Sequence, residues 1–135
     1  MLPNDELFAK FALESGLEQQ VLEGLFHFER GRPILNGRTI QLGANFAEQS
    51  RSIAVALTAA YHYALGVRDV PVSRIADECR RKNAYDVDNF SSSLAREKAI
   101  TIVGSRGNRF VHIKGGDTLK RLAVIIDAHR GQKGE

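Results

Sequence analysis

Apolar residues recur at spacings of three and four in six stretches of the chain, which predicts six helices. The predicted helices run from Asp5 to Ser15, from Leu17 to Phe28, from Ala44 to Leu65, from Ser73 to Lys82, from Asp86 to Lys98, and from Asp117 toward residue 130. Ser73, Asp86 and Asp117 are the expected N-caps of the last three, because a short polar side chain accepts from the free N–H groups of a first turn. Val87, Phe90 and Leu94 would form the apolar face of the Asp86 helix.

Two hairpins are predicted between these helices. Ile100–Val103 and Arg109–Ile113 are rich in β-branched residues and flank Gly104–Asn108, whose glycines allow a tight reversal. Asn36-Gly37 is a strong turn signal and predicts a smaller hairpin of Pro33–Leu35 against Arg38–Leu42. Val70–Val72 is a further short extended segment.

The tetrapeptide Arg30–Pro33 admits a second interpretation. Its sequence, Arg-Gly-Arg-Pro, resembles the centre of an AT-hook, which lies extended in the minor groove of A·T-rich DNA. AT-hooks occur in disordered, basic surroundings, whereas Glu29 precedes this tetrapeptide and Ile34-Leu35 follows it. A loop leading into the small hairpin is therefore the favoured interpretation.

Length and pattern together predict one domain that is mainly α with small β-hairpins, an α+β fold. Residues 1–50 are expected to form a helical and hairpin extension packed on a core domain of residues 51–130, which ends in the C-terminal helix, and residues 131–135 a disordered tail. From Ile53 onward the helix of residues 44–65 is apolar nearly all round. It should therefore be buried, either between the two halves of the chain or in a subunit interface.

The composition limits the cellular compartment and the kinds of cysteine site that can be expected. The only cysteine, Cys79, excludes a disulfide framework and a cysteine zinc finger, and it indicates a reducing compartment. The first residues carry acids before any apolar run, unlike a signal peptide, and Ile53–Leu65 is too short and polar to span a bilayer. We expect a cytoplasmic protein that has no membrane contact.

Catalysis is not expected from this sequence. Gly115-Gly116 is not a phosphate-binding loop, and Cys79 has no histidine near it in the chain. The four histidines fall in different predicted elements: His27, His62, His112 and His129. We therefore expect no catalytic residues, no cofactor and no metal.

Charge is unevenly distributed along the chain. Residues 1–50 hold four basic and seven acidic side chains, whereas residues 68–114 hold ten basic and six acidic ones. The later segment is thus the one expected to prefer polyanions, with an ordinary solvated surface as the alternative.

From residue 51 to residue 114 the predicted order is helix, short strand, helix, turn, helix, hairpin. This order resembles the winged helix-turn-helix superfamily, whose members are mainly DNA-binding domains. The matching parts are Val70–Val72 as first strand, Ser73–Lys82 as second helix, Asp86–Lys98 as recognition helix and Ile100–Ile113 as wing.

The resemblance implies a set of DNA contacts. Recognition-helix residues are expected to meet base edges in the major groove: Asn89, Ser92, Ser93 and Arg96. Wing residues are expected to meet phosphates: Arg106 and Arg109. Residues near the turn would hold the DNA backbone: Arg81, Lys82 and Tyr85.

The expected function is therefore double-stranded DNA binding, by a dimeric transcriptional regulator whose helix 44–65 and N-terminal helices form the dimer contact. The alternative is a protein–protein adaptor that uses the winged module inside a larger nucleoprotein complex and docks a partner through its acidic N-terminal half. RNA binding through the same basic face is a third possibility.

Overall fold

A computed structural model describes residues 2–133 and confirms the α+β class. Its helices are α1 (Asn4–Ser15), α2 (Gln19–Leu25), α3 (Phe46–Leu65), α4 (Val72–Arg81), α5 (Phe90–Ala95) and α6 (Gly115–Lys133). Its strands are β1 (Phe26–Glu29), β2 (Arg32–Leu35), β3 (Val70–Pro71), β4 (Ile100–Ser105) and β5 (Asn108–Ile113), with a 3₁₀ turn at Thr39–Leu42. The tail predicted to be disordered from residue 131 is helical as far as Lys133, and residues 134–135 lie outside the described residues.

Helix α3 is the centre of the fold. Every residue from Ser52 to Ala60 is buried, and the helix contacts α1, α4, α5, α6 and both sheets. The Asn45 side chain accepts from the Glu48 N–H at the start of α3, and Gly66 ends it with φ +68°. The sequence left two positions open for this helix, between the two halves of the chain or in a subunit interface, and the helix lies between the two halves. The stretch Ser52–Ala60 is covered by its own chain and therefore cannot form the dimer contact predicted for this helix.

The N-terminal hairpin differs from the predicted one. Strand β1 pairs with β2 in the register Phe26↔Leu35 to Glu29↔Arg32, and the turn is Arg30-Gly31, with positive φ at both residues. The predicted pairing of Pro33–Leu35 with Arg38–Leu42 is therefore wrong, and so is the extension of the second helix to Phe28. The alternation of buried Phe26 and Phe28 with more exposed neighbours is the strand signal.

The AT-hook interpretation of Arg30–Pro33 fails for the same reason. These residues form the turn and the start of β2, not a free extended segment. Asn36-Gly37 leads instead into the 3₁₀ turn, where the Arg38 N–H donates to Gln41 Oε1 at 2.9 Å.

The second sheet has the strand order β3-β5-β4, antiparallel throughout. Strand β5 lies in the middle, with Val111 opposite Val70 on one side and Ile102 on the other. The predicted hairpin is confirmed: β4 and β5 pair from Ile100↔Ile113 to Ser105↔Asn108, so the reversal is only Arg106-Gly107. We refer to β4, β5 and this turn as the wing.

Helix α5 is much shorter than predicted. It has six residues instead of the thirteen of Asp86–Lys98, and turns precede it. The Asp86 carboxylate accepts from the Asp88 N–H and the Asn89 amide of these turns instead of capping the helix. Val87 consequently lies before the helix and is 73% exposed, so its assignment to the apolar face is wrong.

Two other predicted caps are displaced by a residue or two. Pro71 takes the N-cap position of α4, so Ser73 lies inside the first turn. Helix α6 begins at Gly115, and Asp117 lies in its first turn.

The wing depends on a glycine at position 104. Its φ is +98°, and an added Cβ would lie 2.3 Å from the backbone oxygen of Asn108 on the paired strand. We predict that Gly104→Ala lowers the free energy of unfolding by about 1–3 kcal/mol, the cost of forcing a side chain into such a conformation. Thermal or urea unfolding measures this change. Gly107→Asn is the control, since Gly107 has open space and asparagine tolerates positive φ, and an equal loss in both variants would contradict the prediction.

Candidate nucleic-acid interface

Helix α5 presents one exposed face. Ser91, Ser92, Ala95 and Arg96 are exposed, whereas Phe90 and its neighbours at the next turn pack against α3. The exposed positions include Ser92 and Arg96, as expected of groove-facing residues. Asn89 is also exposed, and its amide donates to Asp86 Oδ2 at 2.8 Å. The face is polar and carries no carboxylate among its four residues.

Ser93 belongs to the opposite face of α5. It is 3% exposed, and its hydroxyl donates to the Ala47 carbonyl at 3.0 Å, with Ser50 Oγ and the Arg51 guanidinium each 3.4 Å away. The prediction that Ser93 meets base edges is wrong, because the side chain holds α5 against the start of α3. Its spacing from Phe90 and Leu94 is the signal that predicts this burial.

A buried carboxylate explains where the basic end of α4 points. The Glu78 side chain is 1% exposed and accepts two hydrogen bonds from Arg81, at 2.9 and 2.7 Å. It also accepts from the Leu35 N–H at 2.9 Å, while Arg81 donates to the Leu35 carbonyl at 2.8 Å. Arg74 lies 3.5 Å from Glu78 and donates to the Pro33 carbonyl at 2.9 Å. Helix α4 is thereby fixed to strand β2.

Lys82 continues this clamp. It is 7% exposed, and its Nζ donates to the Gly37 carbonyl at 2.5 Å, while its own carbonyl accepts from the Thr39 hydroxyl. Burial, and then the charge of Arg81, lower the pKa of Lys82. The prediction that Lys82 holds a DNA backbone is therefore wrong, because its side chain is buried against the N-terminal half of its own chain. The Arg81 guanidinium is engaged by Glu78 and the Leu35 carbonyl through Nε and Nη2, while its side chain stays 46% exposed.

An open groove of about 620 Å³ lies between α4, the start of α5 and the tip of the wing. It brings together three residues that were predicted to contact DNA, Tyr85, Arg106 and Arg109, with a further arginine, Arg80. The remaining lining residues are small, polar or apolar: Pro71, Val72, Ser73, Ala76, Phe90, Ser91, Gly107, Asn108 and Phe110. None of the lining residues is acidic. Arg96, at the other end of α5, is outside this lining.

Arg80 is the residue that sequence reasoning missed. Its guanidinium carbon lies 4.2 Å from the centre of the Tyr85 ring, and Nη1 donates to Asp77 at 3.0 Å. The signal was available, because Ser73, Ala76 and Arg80 share one side of α4 at helical spacing, opposite Glu78 and Arg81. Tyr85 is half-buried, and its ring lies 5.1 Å from that of Phe90.

The cysteine and the histidines lie apart from this groove. Burial, and then the charge of Glu78, raise the pKa of the Cys79 thiol to about 12, so the thiolate is not populated near neutral pH. His112 Nε2 lies 2.5 Å from Asp69 Oδ1, and His129 Nδ1 lies 3.2 Å from Gln41 Oε1. In residues 2–133 no cluster of three or more His, Cys, Asp or Glu side chains could hold a metal.

No family model, curated protein or solved structure matches this chain. Within the described part of the chain, no helix combines the length and the apolar character that crossing a membrane requires.

The clamp at Glu78 generates a stability prediction. Burial raises the pKa of this carboxyl, but the hydrogen bonds from Arg81 and Leu35 and the charges of Arg81 and Arg74 outweigh burial, so the pKa is lowered overall from 4.5. When a carboxyl group has a lower pKa in the folded state than in the unfolded state, its ionised form stabilises the fold at pH values above the unfolded pKa. This stabilisation is lost as the pH falls through the folded pKa. We expect Glu78→Gln to lower the free energy of unfolding at pH 7 by about 3 kcal/mol. This is the lower end of the cost of breaking a buried ion pair, and we choose it because the Arg81 partner is half exposed.

Urea unfolding at pH 7 and at successive steps below pH 4.5 checks this prediction. The difference in unfolding free energy between wild type and Glu78→Gln should be largest at neutral pH. It should decrease as the wild-type Glu78 carboxyl becomes protonated. Asp77→Asn, one position away on the exposed side of α4, is the matched control. A difference that stays constant at all pH values, or one equally large for Asp77→Asn, would contradict the account.

Proposed function

We propose that residues 51–114 form a winged helix-turn-helix and that the protein binds double-stranded DNA as a transcriptional regulator. The element order α3-β3-α4-α5-β4-β5 and the sheet order β3-β5-β4 support the assignment. The observation that carries the proposal is the groove, where both arginines of the wing tip face the same space as α4 and the start of α5. A cationic tip beside an exposed polar helix suits a duplex, in which phosphates flank the base edges.

The exposed residues of α5 and of the turn before it have the chemistry to read bases. Asn89 can pair with adenine, Arg96 with guanine, and Ser92 with either. A helix of six residues is only about 9 Å long, so it offers few base contacts. We therefore expect modest sequence specificity, with most of the affinity coming from phosphates.

The wing supplies these phosphate contacts through Arg106 and Arg109. Both are exposed, and neither has a hydrogen bond or ion pair among the described contacts with other side chains. Each neutralised phosphate releases a counterion, so the affinity should fall steeply as salt is raised.

A homodimer stays part of the proposal, because paired half-sites would compensate for the few contacts of one copy. The buried stretch of α3 is not available for this contact. The surfaces that remain are those of the other helices.

One observation favours the adaptor as a second candidate. Ile40 and Val124 are large, exposed and apolar, and they line one open groove between the 3₁₀ turn, the start of α3, and α6. Exposed apolar side chains that share a groove can receive apolar side chains of a protein partner. The salt-dependent affinity for a random duplex discriminates the two candidates, because an adaptor need not bind DNA at all.

We predict that Arg106→Ala weakens binding to every duplex and reduces the slope of log K against log salt by about one, the loss of one phosphate contact. Fluorescence anisotropy with a random duplex at several salt concentrations measures both quantities. Arg32→Ala removes an equally exposed charge from the N-terminal hairpin and is the control. If the wild type fails to bind duplex at low salt, or if both variants behave alike, the DNA proposal is contradicted.

Arg96→Ala should act differently, because a base contact carries discrimination whereas a phosphate contact does not. We expect it to cost roughly 1–3 kcal/mol on the preferred site and much less on random DNA. Selection of bound sequences from a random library identifies the preferred site, and competition between that site and random duplex measures the change. An equal loss on both ligands would assign Arg96 to the DNA backbone instead.

A further inference from the structure

We infer that the groove between α4 and the wing holds an unpaired nucleotide, so that the preferred ligand is a duplex with an adjoining single strand and not a blunt duplex. This inference rests on the proposed function and specifies the form of nucleic acid that the interface takes. It shares Ser91 and the two wing arginines with the proposed duplex contact and adds Arg80 and Tyr85.

The charge of the groove selects an anion. Three arginines from two separate elements line it, Arg80 from α4 and Arg106 and Arg109 from the wing, and no carboxylate stands among the lining residues. Asp77 is hydrogen-bonded to Arg80 and lies outside the lining. The arginine fork matches phosphate, as it does carboxylate, with two parallel hydrogen bonds.

Arg80 is also arranged for stacking. Its guanidinium lies over the Tyr85 ring at 4.2 Å and is tethered at Nη1 by Asp77, yet the side chain is 54% exposed. A guanidinium held in place in this way loses little freedom when a flat partner lies on it. Bases of single strands stack on arginine planes and on aromatic rings.

Much of the remaining lining of the groove is apolar, beside the polar Ser73, Ser91 and Asn108. Val72, Ala76, Phe90 and Phe110 contribute to its walls, together with Pro71. A duplex presents phosphates and base edges, whereas base faces become accessible only where the strands are unpaired. The groove volume of about 620 Å³ lies within the range of small-ligand sites and has room for a nucleotide.

Continuity with the proposed duplex contact decides for a nucleotide over an acidic peptide. Ser91, at the start of the exposed face of α5, also lines the groove, and so do both wing arginines. A strand that leaves the end of a duplex bound at this face would therefore pass directly into the groove. An acidic peptide with an aromatic side chain shares part of this chemistry and is treated as a competing outcome.

The test compares two labelled probes by fluorescence anisotropy with the full chain: a blunt duplex and the same duplex with a thymine overhang. The wild type should bind the overhang probe about fivefold or more tightly, the gain that one stacked base brings. The blunt probe reports the proposed function separately. Equal affinity for both probes would overturn the inference and leave duplex binding intact, whereas no binding of either probe at low salt would overturn both.

Variants then locate the effect. Arg80→Lys keeps the positive charge but removes the planar guanidinium, so the overhang preference, the ratio of affinities for the overhang probe and the blunt probe, should fall toward one. Arg32→Lys lies outside the groove and should leave this ratio unchanged. Ser73→Glu places a carboxylate in the lining at the first turn of α4, where the helix tolerates it, and should lower the preference further than Ser73→Gln. If the preference survives in both Arg80→Lys and Ser73→Glu, the groove is not the site. If an acidic aromatic peptide displaces the overhang probe better than oligothymidine of equal charge, the occupant is a peptide and the inference fails.

Discussion

The structure depends on one ion pair, between the buried Glu78 carboxylate and the half-exposed Arg81 guanidinium on successive turns of α4. A carboxylate that is almost wholly removed from water is costly unless its charge is neutralised and its oxygens are hydrogen-bonded. Here Arg81, Arg74 and the Leu35 N–H meet that requirement together. Both cations lie on α4 itself, whereas the Leu35 N–H belongs to the N-terminal hairpin, so docking of the two halves of the chain supplies a hydrogen bond that the buried carboxylate would otherwise lack.

This docking fixes which side of α4 faces the N-terminal hairpin. With Arg74, Glu78 and Arg81 turned toward the hairpin, Ser73, Ala76 and Arg80 face the opposite side, where they form one wall of the groove. The other wall is the wing, which stays in place through the pairing of β5 with β3, the short strand immediately before α4. The same ion pair that joins the halves of the chain therefore determines which arginine reaches the candidate interface.

The sequence predicts the local elements of this fold better than its long-range contacts. Periodicity and turn residues identify α1, α3 and the wing, because those signals are local and strong. The N-terminal hairpin was misplaced, since Asn36-Gly37 and Arg30-Gly31 can both make a turn and only packing chooses between them. In the sequence, the basic residues at the end of α4 have the pattern of DNA contacts. In the structure, Lys82 and Arg81 donate to backbone carbonyls more than forty residues away in the chain. Exposure on α5 was predictable from spacing, whereas the position of Arg80 over Tyr85 depends on the turn between α4 and α5.

The central claim is that the exposed face of α5 and the wing form one nucleic-acid surface, held in place by the clamp on α4. Amide chemical shifts recorded while duplex DNA is added test it most directly, because they report on every part of the chain at once. The account predicts changes concentrated in residues 89–96 and 104–110, with little change in α1 and α6. Changes confined to α6 and the 3₁₀ turn, or none at all under low salt, would contradict it.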